Sequence, residues 1–240
     1  DVLKTEAVNR LRAAKADLVF EGGHVRTASD PSRRVSFADL ATRIHAKGGP
    51  LSWQGYFDPE TVPLDPATGQ GVPYATYAFA CQMALVAVDV LTGEVAVERI
   101  VAAHDVGKAL HPENVKGQIC GGVAMGLGFA LMEEFTPGVT KSMKDYHIPT
   151  CADMPEVVPI IVESAEPSGP FGAKGVGEPA LIPTAPAIAN GVAVALGERI
   201  YQLPANLERV LAASIRAGHF DIVAAAGDAL PGSETRDNHI

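Results

Sequence analysis

The chain has 240 residues, is 47% hydrophobic and 20% charged, and carries a formal net charge of -9. That length supports one large domain or two smaller ones with a real core, and the composition excludes a disordered chain. The acidic balance argues against nucleic-acid binding, which needs clustered Lys and Arg, and no apolar run approaches the roughly 20 residues of a membrane span.

Residues 2–16 place Val2, Leu3, Val8 and Leu11 among charged residues, a weak helical pattern. A strand, a Gly22-Gly23 turn, a second strand and a loop through Asp30-Pro31 should follow, then a helix with Ser36 as N-cap and Asp39 three residues on. Residues 49–73 are dense in Pro and Gly and read as a long surface excursion. Alternation on both sides of Leu91-Thr92-Gly93 predicts a β-hairpin with strands near 83–90 and 94–103. A helix over 114–134 carries Gly117, Gly121, Gly122, Gly126 and Gly128. Each costs about 1 kcal/mol relative to Ala, so the array implies close approach of another backbone or a ligand. A strand at 158–164, a helix over 184–197 capped by Thr184 and ended by Gly197, a short helix over 204–217 and a loose tail complete the chain. The pattern predicts an α+β fold in three parts: 1–73, an α/β segment ending in the Pro/Gly excursion; 74–217, the main domain; and 218–240, the tail.

Chemistry is harder to place. Walker A, HExxH and GxSxG patterns are missing, and "GAKGVG" (172–177) has its glycines in the wrong order for a dinucleotide fingerprint. Cys81, Cys120 and Cys151 form no CxxC pair, which argues against a cluster or zinc site held by this chain alone and reads as reduced thiols in an intracellular, cytoplasmic protein. His104 beside Asp105 reads as a core or loop histidine rather than a base or metal ligand, because no second histidine stands at a ligand spacing. Glu178 follows a run of glycines and precedes Pro179. Surroundings so poor in polar groups would favour a general base, while a solvated or capping loop glutamate fits the same residues. The backbone N–H groups of Gly175, Val176 and Gly177 could converge on an anion or oxo group, or simply form a tight turn.

"GPFGAKGVGEPAL" (169–181) and "AHDVGKALHPENVKGQICGGVAMGLGFALMEE" (103–134) resemble two motifs of the molybdenum-binding subunit of the xanthine dehydrogenase/aldehyde oxidase family. "VDVLTGEV" and "YHIPTCADMPEV" fit in order and spacing, and the likeness is strong over about 74–211. The resemblance implies a hydroxylase that oxidises an N-heteroaromatic ring or an aldehyde with oxygen from water, at molybdenum held by molybdopterin, as the bare pterin or a cytosine dinucleotide. It implies that Glu178 is the catalytic base, that Gly175, Val176 and Gly177 pack against the cofactor, and that Lys174 meets a phosphate or points to solvent. Met125 stands where some members carry glutamine, so any contact it makes with the cofactor is apolar. The N-heterocycle is the favoured substrate class. The family's subunit is several hundred residues long and this chain, which begins on Asp1, matches only its C-terminal part. An upstream molybdopterin-binding chain or segment, an iron–sulfur subunit with [2Fe–2S] clusters and an FAD subunit are the partners implied.

Overall fold

A computed structural model describes residues 1–219 and divides them into two compact units, Asp1–Asp58 and a second that begins at Pro59. The first unit opens with α1 (Val2–Leu11). This helix is shorter than its sequence pattern, because Arg12 enters the left-handed region at φ 48° and ends it. Asp17 then accepts both the N–H and the hydroxyl of Ser29 (2.9 and 2.5 Å), fixing the loop below a three-stranded antiparallel sheet. Its strands are β1 (Leu18–Glu21), β2 (His24–Thr27) and β3 (Arg34–Ser36), the last not anticipated from the sequence. The Gly22-Gly23 turn uses positive φ at both glycines. In α2 (Phe37–Ala46), Ser36 Oγ accepts from Asp39 N at 3.0 Å, the cap its sequence predicts. Ala7, Leu11, Val25, Val35 and Leu40 form this unit's core.

Residues 49–73 are an extended, exposed excursion as expected; an isolated pairing of Val62 with Val72 is its regular feature. Beyond it, β4 (Ala80–Val88) and β5 (Val95–Asp105) form the hairpin, both strands longer than the alternation suggested. Asp89 Oδ1 accepts from Leu91 N and Thr92 N and closes the turn. β6 (Glu156–Val162) adds in parallel to β5. Two helices cover one face: α3 (Pro112–Leu131), capped by the His111 ring accepting from Asn114 N at 3.2 Å, and α4 (Thr184–Leu196). Ile100, Ile119, Val123, Ile188 and Val192 fill the layer between them. α5 (Leu207–Arg216) starts at Asn206 and closes the described chain.

Two details differ from the sequence reading. Thr184 is the first residue of α4 and not its cap; its hydroxyl donates to Gln82 Oε1 at 2.7 Å. Residues Glu178–Leu196, counted together, are long and apolar enough to cross a membrane, with mean hydropathy 1.5. Here Ala185, Ile188, Val192 and Leu196 are buried against the sheet and α3, the position of a core helix. The expected tail lies, from residue 220, outside the described residues.

Candidate functional site

The segment Gly169–Leu181 lies at the end of the hairpin, where its backbone is joined to the turn after β5. Lys108 N donates to Gly172 O (2.7 Å), and Lys174 N to Val106 O (2.9 Å). Between them Gly107 sits at φ +61°, with a Cβ placed there meeting Lys174 N at 2.8 Å, so the join requires glycine.

Lys174 departs from both of its expected positions. It reaches neither solvent nor a free anion site, because its ammonium lies inside the second unit. Nζ donates to Asp105 Oδ2 at 2.5 Å and to Tyr77 O at 3.0 Å, and stands 5.8 Å from the centre of the Phe79 ring. The Lys174 and Asp105 side chains are 7% and 6% exposed. Asp105 Oδ1 accepts from Gly107 N (3.0 Å) and Ser164 N (3.4 Å), so both carboxylate oxygens are occupied. Burial alone would push the Asp105 carboxyl up, but the Lys174 ammonium and the Gly107 amide outweigh it and hold the group below its usual range.

Four residues on, Glu178 opens a single 3-10 turn, Glu178–Ala180. Its side chain is exposed on this chain and, among the described residues, makes no hydrogen bond or ion pair. The apolar enclosure anticipated from the neighbouring glycines is therefore not supplied here, since Gly175 and Gly177 face open space. Among the described residues, the N–H groups of Gly175, Val176 and Gly177 have no acceptor. Val176 alone of the three tucks its side chain against the core.

Beyond Glu178 the chain is fixed again. Gln82 Nε2 donates to Ala180 O (2.9 Å) and Gln82 Oε1 accepts from Thr184. Because Ala180 O can only accept, the amide nitrogen must face it, and the same nitrogen lies 3.0 Å from His104 Nε2. His104 Nε2 is thus the acceptor, the proton sits on Nδ1, and Nδ1 is buried with no partner among the described residues. Burial holds this histidine below its ordinary pKa, so it is a neutral core residue that orients Gln82, as its lone occurrence suggested. Gln82 was missed in the sequence; the available signal was a single polar residue on the inward positions of an otherwise apolar strand.

The glycines of α3 divide between two faces. A Cβ at Gly122 would lie 2.5 Å from the Ala180 Cβ, and one at Gly126 would overlap Thr184. These two let α3 pack directly on the Glu178 turn and the start of α4. Gly117 and Gly121, one turn apart, face open space. Met125 is 60% exposed and lines a groove of about 560 Å³ with Phe129, Leu181, Ile182, Ile200 and Tyr201. Glu178 does not line that groove. Among the described residues no three His, Cys, Asp or Glu side chains converge as a metal site.

The loop is anchored at its flanks, carries amides and a carboxylate without partners among the described residues, and is backed by a helix that packs on it through glycine. Residues 1–155 match the family model for the molybdopterin cofactor-binding domain. The chain is 33% identical over 210 residues to the xanthine dehydrogenase molybdenum-binding subunit of Escherichia coli O157:H7, covering 83% of this chain and 26% of that one. It is 40% identical over 152 residues to the aldehyde oxidoreductase of Megalodesulfovibrio gigas, covering 62% of this chain and 17% of that one. The crystal structure of the aldehyde oxidoreductase from Desulfovibrio desulfuricans superposes with a TM-score of 0.65 at 38% identity, over 72% of this chain and 19% of that one. The chain belongs to the molybdopterin cofactor-binding domains of the xanthine dehydrogenase and aldehyde oxidase family, and its α+β fold is theirs. It spans about a quarter or less of the length of these relatives.

Proposed function

We propose that this chain is the cofactor-contributing part of a multisubunit molybdenum hydroxylase of the cytoplasm, in which Glu178 is the general base. Residues 74–217 form the contributing portion. Gly175, Val176 and Gly177 face the pterin–metal group through their free amides, and Met125 offers it an apolar contact. When bound, the molybdenum–pterin group supplies the two-electron oxidation of a substrate carbon that is hydroxylated with oxygen from water. Glu178 takes up, on a carboxylate oxygen, the proton that the attacking oxygen gives up. Lys174 makes no cofactor contact in this reading, because its ammonium is buried and already donates to Asp105 and to Tyr77 O.

The observation that carries this reading is the contrast within one short segment. Its flanks are tied to the sheet, while the Glu178 carboxylate and the preceding amides have no protein partner among the described residues. Those groups fit a ligand that accepts hydrogen bonds and delivers a proton. The pterin is carried bare or as the cytosine dinucleotide, jointly with the upstream molybdopterin-binding portion. Electrons leave through [2Fe–2S] clusters in a partner subunit and pass to FAD in another. The substrate is an N-heteroaromatic ring, supported by the likeness to a subunit named for xanthine dehydrogenase. The higher local identity to an aldehyde oxidoreductase favours aldehydes as the second reading.

The test is to purify the complex containing this chain, measure molybdenum and iron, and compare wild type with Glu178→Gln on a panel of purines, nicotinate and aldehydes. Turnover should fall by about 10²–10⁴-fold with molybdenum content unchanged. Undiminished turnover in a loaded Glu178→Gln complex would remove Glu178 from the chemistry. A complete complex lacking molybdenum would make this chain an assembly module.

A further inference from the structure

We propose that Lys174 and Asp105, with Gln82 on the far side, are positioning residues that fix the Glu178 carboxylate at both ends of its loop. The proposal rests on the reading of Glu178 as a base and adds to it the device that aims that base. A general base must come within hydrogen-bond reach of the proton it removes, and a misplacement of about 1 Å costs about 10²-fold in rate. Glu178 O accepts from Leu181 N at 3.0 Å, but nothing among the described residues holds the Glu178 carboxylate, and the amides of Gly175, Val176 and Gly177 make no internal bond. Glycine gives that span the widest backbone freedom of any residue. Apart from Val176, whose side chain packs on the core, that span draws its rigidity from the flanks.

It enters through side chains at both. Before the span, Lys174 is tied into the sheet by Asp105 Oδ2, Tyr77 O and the Phe79 ring, and Asp105 is itself pinned by Gly107 N and Ser164 N. After it, Ala180 O is held by Gln82, whose amide is oriented in turn by His104 and Thr184. Asp105, His104 and Gln82 all belong to the β4–β5 hairpin. One hairpin therefore grips both ends of the segment. The charge matters because the pair is buried. An ammonium without its carboxylate, or the reverse, would draw water into the grip or leave it, and the loop would move with it. Arginine is no equivalent, since its planar fork does not match a site built around one carboxylate oxygen and one carbonyl.

The experiment uses the assembled complex and four forms: wild type, Lys174→Met, the double variant Lys174→Met/Asp105→Asn, and Glu178→Gln. Three quantities are read: molybdenum per chain, amide exchange of the peptide spanning 173–179 by mass spectrometry, and kcat with KM. The expected result for Lys174→Met is retained molybdenum and faster exchange confined to 173–179, with α3 and α4 unchanged. Its kcat should fall by about 10²-fold while KM moves little. If Lys174→Met does not fold, the double variant, which removes both buried charges together, carries the same readouts. Unchanged exchange and kcat in a loaded complex overturn the proposal. So does loss of molybdenum with unchanged loop exchange, which would assign Lys174 to the cofactor. Full turnover by Glu178→Gln would defeat the base reading alone, leaving the exchange measurement to decide whether the loop is gripped as described.

Discussion

Glycine at two adjacent positions of α3 has opposite meanings, and substitution separates them. At Gly122 an added Cβ would meet the Ala180 Cβ at 2.5 Å and Ala180 backbone carbon at 2.8 Å, atoms that cannot swing aside. Gly122→Ala should therefore cost about 1–3 kcal/mol through forced separation of the helix from the Glu178 turn. At Gly121 nothing lies within 4 Å, so Gly121→Ala should be neutral or add up to about 1 kcal/mol from helix propensity. Urea unfolding of the two variants checks both signs, and equal effects would show that the faces are not distinct. The sequence raised the question of why so many glycines sit in one helix but could not sort them, because the sorting depends on what packs opposite. Glu178 stood out for a related reason, a lone carboxylate between glycine and proline, but the residues alone fitted a solvated loop glutamate equally and only the family resemblance offered it a role as base. Lys174 was not legible, since its counter-ion Asp105 lies 69 positions away and only the fold brings them together.

At the level of elements, the C-terminal end of β5 concentrates two buried titratable side chains, His104 and Asp105. Burial holds His104 below its ordinary value near 6.5, so the unfolded chain binds a proton that the folded chain refuses. Stability from this source is complete above that value and is lost as pH falls through it toward the lower folded value. For Asp105 burial acts upward, but the Lys174 ammonium and Gly107 amide win and depress the carboxyl. Its contribution is present above the ordinary carboxylate range near 3.9 and is lost as pH falls below it. The urea midpoint should thus decline between pH 7 and 5 and again, separately, below about pH 4. His104→Gln should flatten the first decline and leave the second; a midpoint independent of pH from 7 to 5 would contradict the assignment of His104 as buried and neutral. The hairpin itself was readable from alternation around Leu91-Thr92-Gly93, because strand periodicity is a local property. The parallel pairing of β6 with β5 was not, since α3 and the segment after it separate the two strands in sequence and only the fold sets them side by side. Helix ends behaved likewise. Ser36 was identified as a cap from its own spacing to Asp39, whereas His111 caps α3 through a ring nitrogen, a role that composition does not advertise.

For the whole molecule, the two units differ in how much core they own. The first, Asp1–Asp58, buries the apolar side chains of Ala7, Leu11, Val25, Val35, Leu40 and Ile44, a small set for a segment of that length. The second centres on a continuous layer from Ile100 through Ile119 and Val123 to Ile188, Val192 and Val210. Domains of about 60 residues bury only about 60% of the surface their unfolded chain exposes and are marginal for that reason. The two units should consequently lose structure at different denaturant concentrations, the first at the lower one and with the shallower dependence, because that slope scales with surface exposed. Amide exchange across a urea series would resolve them: peptides from β1, β2 and α2 should lose protection while those from β5, α3 and α4 keep it. A single transition shared by every peptide would mean that the units unfold as one. Early cleavage by a protease should fall in 49–73, where side chains such as Trp53 (73% exposed) and Tyr56 (87% exposed) project from a backbone with little regular pairing. Large apolar side chains exposed together are the chemistry of a surface that a partner can cover. If the proposed upstream molybdopterin-binding portion joins this chain over the excursion, limited proteolysis of the assembled complex should show 49–73 protected from cleavage.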